Sequence, residues 1–257
     1  MVRGLYTSGM GMITAMNKFD VISNNIANAG TTGYKKDNVI TQSFSEELMR
    51  RLNDPALNQI SAPDVKLGPV SLGVFVDNIF TDFSTGAFSV TDNPLDLCIQ
   101  GDGFFAASVA NSAGETSEMY TRDGSLTLLN GLLVTNGGAP LVGQSGSPIT
   151  VPNGNISINE HGDVYVNGEF IDRLKMVSFT DNASLRKHGD NFYTTTEQSQ
   201  QADFKGAVAQ GIAEKSNVNS VREMVDMIAV NRLYDANQRV ITTVDATLQQ
   251  AVSEIGK

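Results

Sequence analysis

The sequence predicts an α+β protein in which long N- and C-terminal helices pair as a coiled coil and a central domain is all β, a sandwich or distorted barrel. Three observations along the 257-residue chain predict this architecture. An apolar stripe with helical spacing opens the chain, short alternating segments separated by turn signals fill the middle, and a second, longer helical stripe closes it.

The first thirty residues predict an amphipathic helix. Gly4, Gly9 and Gly11 weaken its first turns, each by about 1 kcal/mol relative to Ala, and Gly30 is placed to cap its C-terminus. Because this stripe is too incomplete for a stable isolated helix, the pattern predicts a helix that needs a partner surface. Its apolar side chains recur at spacings of three, four and seven, at Leu5, Met12, Met16, Phe19, Ile22 and Ile26.

Residues 36–70 are predicted to be a connecting segment that contains a short helix. Ser43 and Glu46 have the spacing of a capping box for a helix over residues 44–53. Pro55 closes that helix, and Pro63 and Pro69 favour extended chain after it.

Residues 71–211 are predicted to form the β-rich outer domain. The dipeptides Asn130-Gly131 and Asn167-Gly168 are strong hairpin signals, and many short strands at this spacing indicate a sandwich or barrel. The alternating segments are residues 71–76, 95–99, 104–109, 125–129, 156–158, 164–166 and 174–179.

Residues 216–255 predict one long helix, and residues 1–35 with 212–257 are predicted to be the terminal helical assembly domain. Ser220 and Glu223 form a second capping box, and without Pro or Gly the helix would run about 50 Å. The apolar stripe shifts phase near Asn231, as a stutter in a heptad pattern does. Its members are Val221, Met224, Val225 and Ile228, then Leu233, Ala236, Val240, Val244, Thr247, Ala251 and Ile255.

Composition and motifs argue against several classes of function. A net charge of −10 disfavours nucleic-acid binding and an anionic membrane surface, and no stretch approaches the ~20 apolar residues of a membrane span. His161 and His188 lack the short spacing of zinc ligands, so we expect no metal, no cofactor and no catalysis. The single cysteine, Cys98, lies in an apolar run and is predicted to be a small core residue.

Carboxylates supply one further candidate for catalysis. Asp92, Asp96 and Asp102 could form a site if the fold brought them together. They fall in separate turns and strands, so the sequence favours surface positions for them.

Asparagine-rich segments border both predicted helices. Asn24, Asn25 and Asn28 lie within one and a half turns, and Asn217 and Asn219 precede the second helix. One interpretation is a frayed helix end with Asn in capping positions. The other is a set of amides buried between packed helices, where the need for hydrogen-bond partners sets the register.

Motifs in order along the whole chain resemble those of bacterial flagellar rod and hook proteins. Residues 21–35 (VISNNIANAGTTGYK) resemble the N-terminal signature, residues 95–105 (LDLCIQGDGFF) the central motif, and residues 120–125 (YTRDGS) another. The C-terminal signature is matched by residues 216–219, 223–225, 227–228, 231–237 and 241–245. Cys98 stands where the family usually has an apolar or small residue, and we assign it no function.

The resemblance implies a structural subunit of the flagellar basal-body rod, not an enzyme, polymerising into the drive shaft that transmits torque to the hook. It implies that the terminal helices form the inner tube, that the β domain lies outside, and that the partners are other copies, rod and hook proteins and the flagellar type III export apparatus. It places the protein in the basal body within the cell envelope, exported without a cleaved signal peptide. The segment of residues 37–70 favours a distal rod subunit, with a proximal rod subunit or hook-related axial protein as the alternative.

Two other functional classes are compatible with this pattern: a secreted β-domain binding module and a hydrolase on a β scaffold.

The predicted assembly interface comprises Leu5, Met12, Met16, Phe19, Asn24, Asn25, Ile26, Asn28, Asn217, Asn219, Val221, Val225, Ile228, Leu233, Tyr234, Asn237, Val240 and Val244.

Overall fold

The computed structural model describes residues 2–45, 47–51, 65–110, 116–189 and 191–255. The chain divides into two compact units. Unit 1 comprises Met1–Asn24, Asp37–Phe80 and Val221–Lys257, and unit 2 comprises Asn25–Lys36 and Thr81–Ser220. The segments that follow the first helix and precede the last one therefore group with unit 2. The three-part division predicted from the sequence stays a prediction.

Both terminal helices are confirmed. Helix α1 spans Val2–Ala27 and helix α2 spans Ser220–Ile255, four residues later than the predicted start. Within unit 1 they touch where Gly11 faces Asn237, because a Cβ at Gly11 would lie 2.8 Å from the amide nitrogen of Asn237. Their pairing as a coiled coil stays a prediction. Neither helix, over its described residues, is long and apolar enough to span a membrane.

The connecting segment forms strands. Strands β1 (Asp37–Ser43) and β4 (Val74–Thr81) form one ribbon, and β2 (Glu47–Arg51) and β3 (Val65–Val70) form another.

The short helix predicted over residues 44–53 is wrong where the structure describes it. Glu47 pairs with Val70 and Arg51 with Val65 in an antiparallel ladder. Ladder hydrogen bonds to a distant segment outweigh a capping signal, which contributes only about 0.5–2 kcal/mol. Glu46 of the supposed capping box and residues 52–64 lie outside the described residues.

The central region is mostly β, as predicted, and every pairing whose register is described is antiparallel. Its largest sheet has six strands in the order β15-β16-β8-β7-β14-β17. The strands of this region are β5 (Phe88–Val90), β6 (Leu97–Gln100), β7 (Phe104–Ala110), β8 (Thr116–Thr121), β9 (Leu126–Leu129), β10 (Leu132–Thr135), β11 (Ile156–Ile158), β12 (Asp163–Val166), β13 (Glu169–Arg173), β14 (Met176–Phe179), β15 (Arg186–His188), β16 (Phe192–Thr194), β17 (Gln201–Ala202), β18 (Ala207–Gln210) and β19 (Ile212–Glu214).

Two hairpin turns confirm the strongest turn signals. Asn130 and Gly131 join β9 to β10 with φ of 54° and 80°, and Asn167 and Gly168 join β12 to β13 with φ of 52° and 89°. Two consecutive positive φ angles define a type I′ turn, whose twist matches that of the flanking strands.

The core of unit 2 has two clusters of buried side chains. One is aliphatic and includes Leu97, Leu133 and Val164, and the other is aromatic and includes Phe104 and Tyr193. Cys98 is buried on β6, as predicted. This core holds the turns and strand ends that position the charged groups described next.

Candidate functional site

The face of α1 that packs inside unit 1 carries small side chains, two of them with hydroxyl groups. Ser8, Thr14 and Ala15 are its buried residues, and the Thr14 hydroxyl donates to the carbonyl of Val74 at 2.9 Å. Small side chains let the β1–β4 ribbon approach the helix closely. The predicted apolar stripe is therefore not the surface that α1 buries in its own chain.

The apolar stripe of α1 stays accessible. Leu5 and Met16 are 40% and 55% exposed, and Ile13, outside the predicted set, is 53% exposed. Met12 and Phe19 are half-buried. Exposed side chains of this size on one helix indicate a surface that another molecule covers.

Helix α2 exposes its stripe more fully. From residue 220 to 254 its sole buried side chain is Glu223. Tyr234, Asn237 and Val244 are half-buried. Helices in globular proteins draw most of their stability from a buried apolar face, and α2 has none within the described chain. The predicted residues Val221, Val225, Ile228, Leu233 and Val240 are 70%, 60%, 54%, 50% and 44% exposed, and Met224, Leu248 and Val252 join them.

The predicted asparagines separate into different environments. Asn25 is buried and accepts a hydrogen bond from the hydroxyl of Tyr34 at 3.1 Å. Asn28 is half-buried and accepts one from the Thr31 hydroxyl at 3.2 Å. The structure thus uses both amides within unit 2, around the C-terminal end of α1.

The asparagines around α2 also differ. Asn217 is half-buried, accepts a hydrogen bond from the amide of Lys36 at 2.8 Å and donates to the carbonyl of Asp82 at 2.8 Å. Asn219 and Asn24 are exposed, and Ile26 is half-buried. Asn217 therefore has a role inside its own chain, and its role between subunits stays a prediction.

A buried charged cluster that the sequence did not predict lies in unit 2, centred on Glu214. Its carboxylate accepts from the ammonium of Lys35 at 2.6 Å and from Nε of Arg122 at 2.8 Å. The side chains of Lys35 and Glu214 are each 1% exposed, and that of Arg122 is 5% exposed. The backbone amide of Gly86 donates a further hydrogen bond to Glu214 at 3.0 Å.

Arg122 connects the cluster to backbone carbonyls of the β region. Its guanidinium donates to the carbonyls of Gly101 at 2.6 Å and Ile99 at 3.2 Å, and also to that of Gly103. A planar guanidinium can serve several acceptors at once. The motif of residues 120–125 does not indicate this role, because an arginine next to Asp-Gly is ordinarily solvated.

The charges perturb one another. Burial by itself would raise the pKa of Glu214, but Arg122 and Lys35 outweigh that effect and hold the pKa below its usual range. Burial lowers the pKa of Lys35 against the opposing effect of Glu214. Nearby, burial raises the pKa of Asp123, whose carboxylate accepts from the Thr32 hydroxyl at 2.6 Å.

No group of three or more His, Cys, Asp or Glu side chains among the described residues could hold a metal ion. A groove of about 540 Å³ in unit 2 is lined by His161, Arg173 and Lys175. Arg173 and Lys175 are held in ion pairs with Asp163 and Glu118. Contrary to expectation, Asp96 is buried, and it accepts a hydrogen bond from the Ser125 hydroxyl at 3.3 Å.

Three protein-family models match the chain. The model described as "Flagella basal body rod protein" matches residues 5–35, "Flagellar hook protein FlgE/F/G D1 domain" matches residues 98–166, and "Flagellar basal body rod FlgEFG protein C-terminal" matches residues 209–254. Each member of the Lys35–Arg122–Glu214 cluster lies in a different one of these matches.

Relatives match over nearly the full length. The chain is 30% identical to the flagellar hook-basal body complex protein FlhO of Bacillus subtilis, with 100% of both chains covered. It is 32% identical to the flagellar basal-body rod protein FlgG of the same organism, with 98% of this chain and 99% of the relative covered. It is 30% identical to the flagellar basal-body rod protein FlgF of Caulobacter vibrioides, with 100% and 99% covered.

Proposed function

Because the chain belongs to the flagellar basal-body rod protein family, we propose that it polymerises through its terminal helices into the drive shaft that transmits torque to the hook. The observation that carries the proposal is the exposed apolar stripe on each helix. The stripes lie at opposite ends of the sequence, and several large apolar side chains of each stay exposed among the residues that the structure describes.

Covering the exposed stripe of α2 contributes favourable free energy to association. Full burial of a Val, Leu or Ile side chain contributes about 1.5–3 kcal/mol. Five predicted interface residues of α2 are each about half exposed, so covering them contributes roughly 4–8 kcal/mol per subunit before the entropy of association is subtracted. Repeated along a shaft, such contacts hold the helices in place.

The proposed growth of the rod into a filament follows from the stripes of α1 and α2 being two different surfaces. An interface between unlike surfaces of identical subunits extends as an open helical filament unless the rotation between subunits closes it into a ring, and the proposed rod is the open case. In the isolated subunit the unpartnered stripes leave the terminal helices only marginally stable, and they order fully on assembly. Limited proteolysis of the purified monomer tests this: helices that resist protease at low concentration contradict it.

We propose the distal segment of the rod as the position of this subunit, with the other rod and hook proteins as its neighbours. The support is the segment of residues 37–70, which resembles the connecting region of the distal rod protein. Electron microscopy of basal bodies from a strain lacking this gene tests the position. Loss of the distal segment alone is the expected result, and loss nearer the membrane assigns the subunit to the proximal rod.

Export through the flagellar type III apparatus, without a cleaved signal, is part of the same proposal. Its support is membership of a family whose proteins assemble outside the cytoplasm. Mass spectrometry of the assembled subunit is expected to find the N-terminal residues of α1 present.

The assembly surface is tested by substitution on α2. Val240→Asp places a charge in the stripe, and Gln249→Asp places one nine residues on, half a turn around the helix at 100° per residue. Both side chains are exposed, so neither change is expected to alter the melting temperature of the purified subunit. In a strain lacking the gene, the Val240→Asp variant is expected to fail to restore rod formation and swimming.

The control separates this surface from a general effect of charge. Gln249→Asp is expected to restore swimming as the unsubstituted protein does. If Val240→Asp also restores it, the stripe of α2 is not the assembly surface. Deletion of residues 2–24, which leaves unit 2 intact, is expected to abolish assembly, whereas a binding module would keep its ligand.

A further inference from the structure

The chain leaving α1 and the chain entering α2 lie side by side in unit 2, although about 180 residues separate them. The amide of Gly33 donates to the carbonyl of Glu214 at 2.8 Å, and the amide of Lys36 donates to the side chain of Asn217 at 2.8 Å. Between these two hydrogen bonds, Lys35 forms its ion pair with Glu214 at 2.6 Å. We name this arrangement of residues 33–36, Arg122 and residues 214–217 the root clamp.

The root clamp is anchored to the β region from several sides. Arg122 links Glu214 to the carbonyls of the turn between β6 and β7. Lys35 donates to the carbonyl of Ser84 at 2.8 Å, and Asn217 donates to that of Asp82 at 2.8 Å. Lys187 donates to the carbonyl of Lys35 at 2.9 Å from above the ring of Tyr34.

The end of α1 is tied to the same place. Asn25, in the last turn of α1, accepts the hydrogen bond from Tyr34, and Tyr34 precedes Lys35. The side-chain amide of Asn191 donates to the carbonyl of Thr32 at 2.9 Å. The backbone from the last turn of α1 to Lys36 is thereby held along its length.

We propose that the root clamp is a positioning device for assembly: it holds the end of α1 and the start of α2 in one fixed register, ready to dock on neighbouring subunits. The inference rests on the proposed function, since it assigns a role in that polymerisation. Fixing both helix ends in the monomer removes orientational freedom that would otherwise be lost on docking.

Charged groups suit this role better than apolar ones. Apolar contacts slide with little penalty because the hydrophobic effect has no direction. A buried carboxylate between two cations permits one arrangement, because a shift by one residue would leave charges unpaired in the interior. Lys35, Arg122 and Glu214 thus specify the register of two segments that share no strand ladder.

Lys35→Met tests the root clamp. It removes one cation and leaves Glu214 paired with Arg122, so the β core is expected to keep its cooperative melting. The amides of Gly33 and Lys36 in the full-length protein are expected to exchange with deuterium at least tenfold faster. Basal bodies isolated from cells carrying the variant are expected to contain at least tenfold less of this subunit, while the amount exported to the medium is unchanged.

The matched control is Lys175→Met, which removes a cation from the surface pair with Glu118. It is expected to leave exchange at Gly33 and Lys36, export and incorporation unchanged. A second variant, Asn217→Ala, removes the side chain that accepts from Lys36 and donates to Asp82. It is expected to reproduce both effects of Lys35→Met, and it provides the test if Lys35→Met does not fold.

Three results overturn the proposal. One is normal incorporation of a variant whose Gly33 and Lys36 amides exchange faster. Another is unchanged exchange in both variants, which means that these side chains do not hold the segments. The third is a drop in incorporation matched by the same drop in export, which assigns the defect to folding. If Val240→Asp assembles normally, the proposed function itself fails, whatever the root-clamp variants do.

Discussion

Replacing Glu214 by Gln puts an almost isosteric side chain into a charge cluster whose three side chains are 1–5% exposed. The carboxylate accepts from Lys35, Arg122 and the amide of Gly86 at 2.6, 2.8 and 3.0 Å. Gln keeps one oxygen and presents an NH₂ group to the remaining donors. Two cations then share the interior without an anion between them.

The expected loss of stability follows from that burial. Removing one partner of a buried ion pair destabilises a protein by about 3–5 kcal/mol, because the remaining charge is uncompensated. For a chain of this size, 1 kcal/mol shifts the melting temperature by about 2–4 °C. Glu214→Gln is therefore expected to lower the melting temperature of unit 2 by roughly 6–20 °C.

Thermal unfolding at pH 7, followed by near-ultraviolet circular dichroism, measures this change. Glu118→Gln is the matched control, since it makes the same chemical change in an ion pair whose side chains are 33% and 36% exposed. Exposed pairs contribute only about 0–1 kcal/mol. If the free energy of unfolding of Glu214→Gln lies within about 1 kcal/mol of that of the unsubstituted protein, charge pairing does not hold this cluster together.

Three further tests have defined outcomes. The pKa of Glu214 in the folded protein lies below its ordinary value of 4.5, so the unsubstituted protein keeps its full stability advantage over Glu214→Gln above that pH. The advantage shrinks as the pH falls through the folded pKa, and unfolding measured over an acid pH series will show this loss. Gly33→Ala adds a Cβ 2.6 Å from the backbone that follows β8, at a φ of +64°, and is expected to destabilise the protein by about 1–3 kcal/mol or more in thermal melting. Gly30→Ala has open space around it and is expected to be nearly neutral in the same melting assay. Gly9→Ala, also open, is expected to stabilise α1 by up to about 1 kcal/mol. Gly11→Ala adds a Cβ 2.8 Å from a side-chain amide nitrogen of α2 and loses that gain, as exchange of helix amides will show.

Features that depend on local chemistry could be predicted from the sequence. Both terminal helices follow from apolar spacing, and the type I′ turns at Asn130-Gly131 and Asn167-Gly168 follow from the positive φ that these residues tolerate. The apolar spacing along α2 alone predicts its stripe as an interface, and five predicted residues of that stripe are exposed. Each of these conclusions needs only residues close together in the chain.

The connecting segment shows where local reasoning fails. A capping-box spacing favoured a helix over residues 44–53, yet Glu47–Arg51 form strand β2. The deciding partner is β3, which begins 14 residues after β2 ends. Weak local preferences yield to a ladder of backbone hydrogen bonds that they do not encode.

Periodicity and motif order are properties of the amino-acid sequence, so the α+β class, the two helical ends, their apolar stripes and the family motifs follow from the sequence. Which side of α1 is covered by its own chain, and where the asparagines form hydrogen bonds, depends on the fold. It alone joined Lys35 to Glu214 across 179 positions and Arg122 to Glu214 across 92. The physical reason is that a charge in a motif looks solvated until the fold removes its water, and desolvation depends on every segment that packs around it.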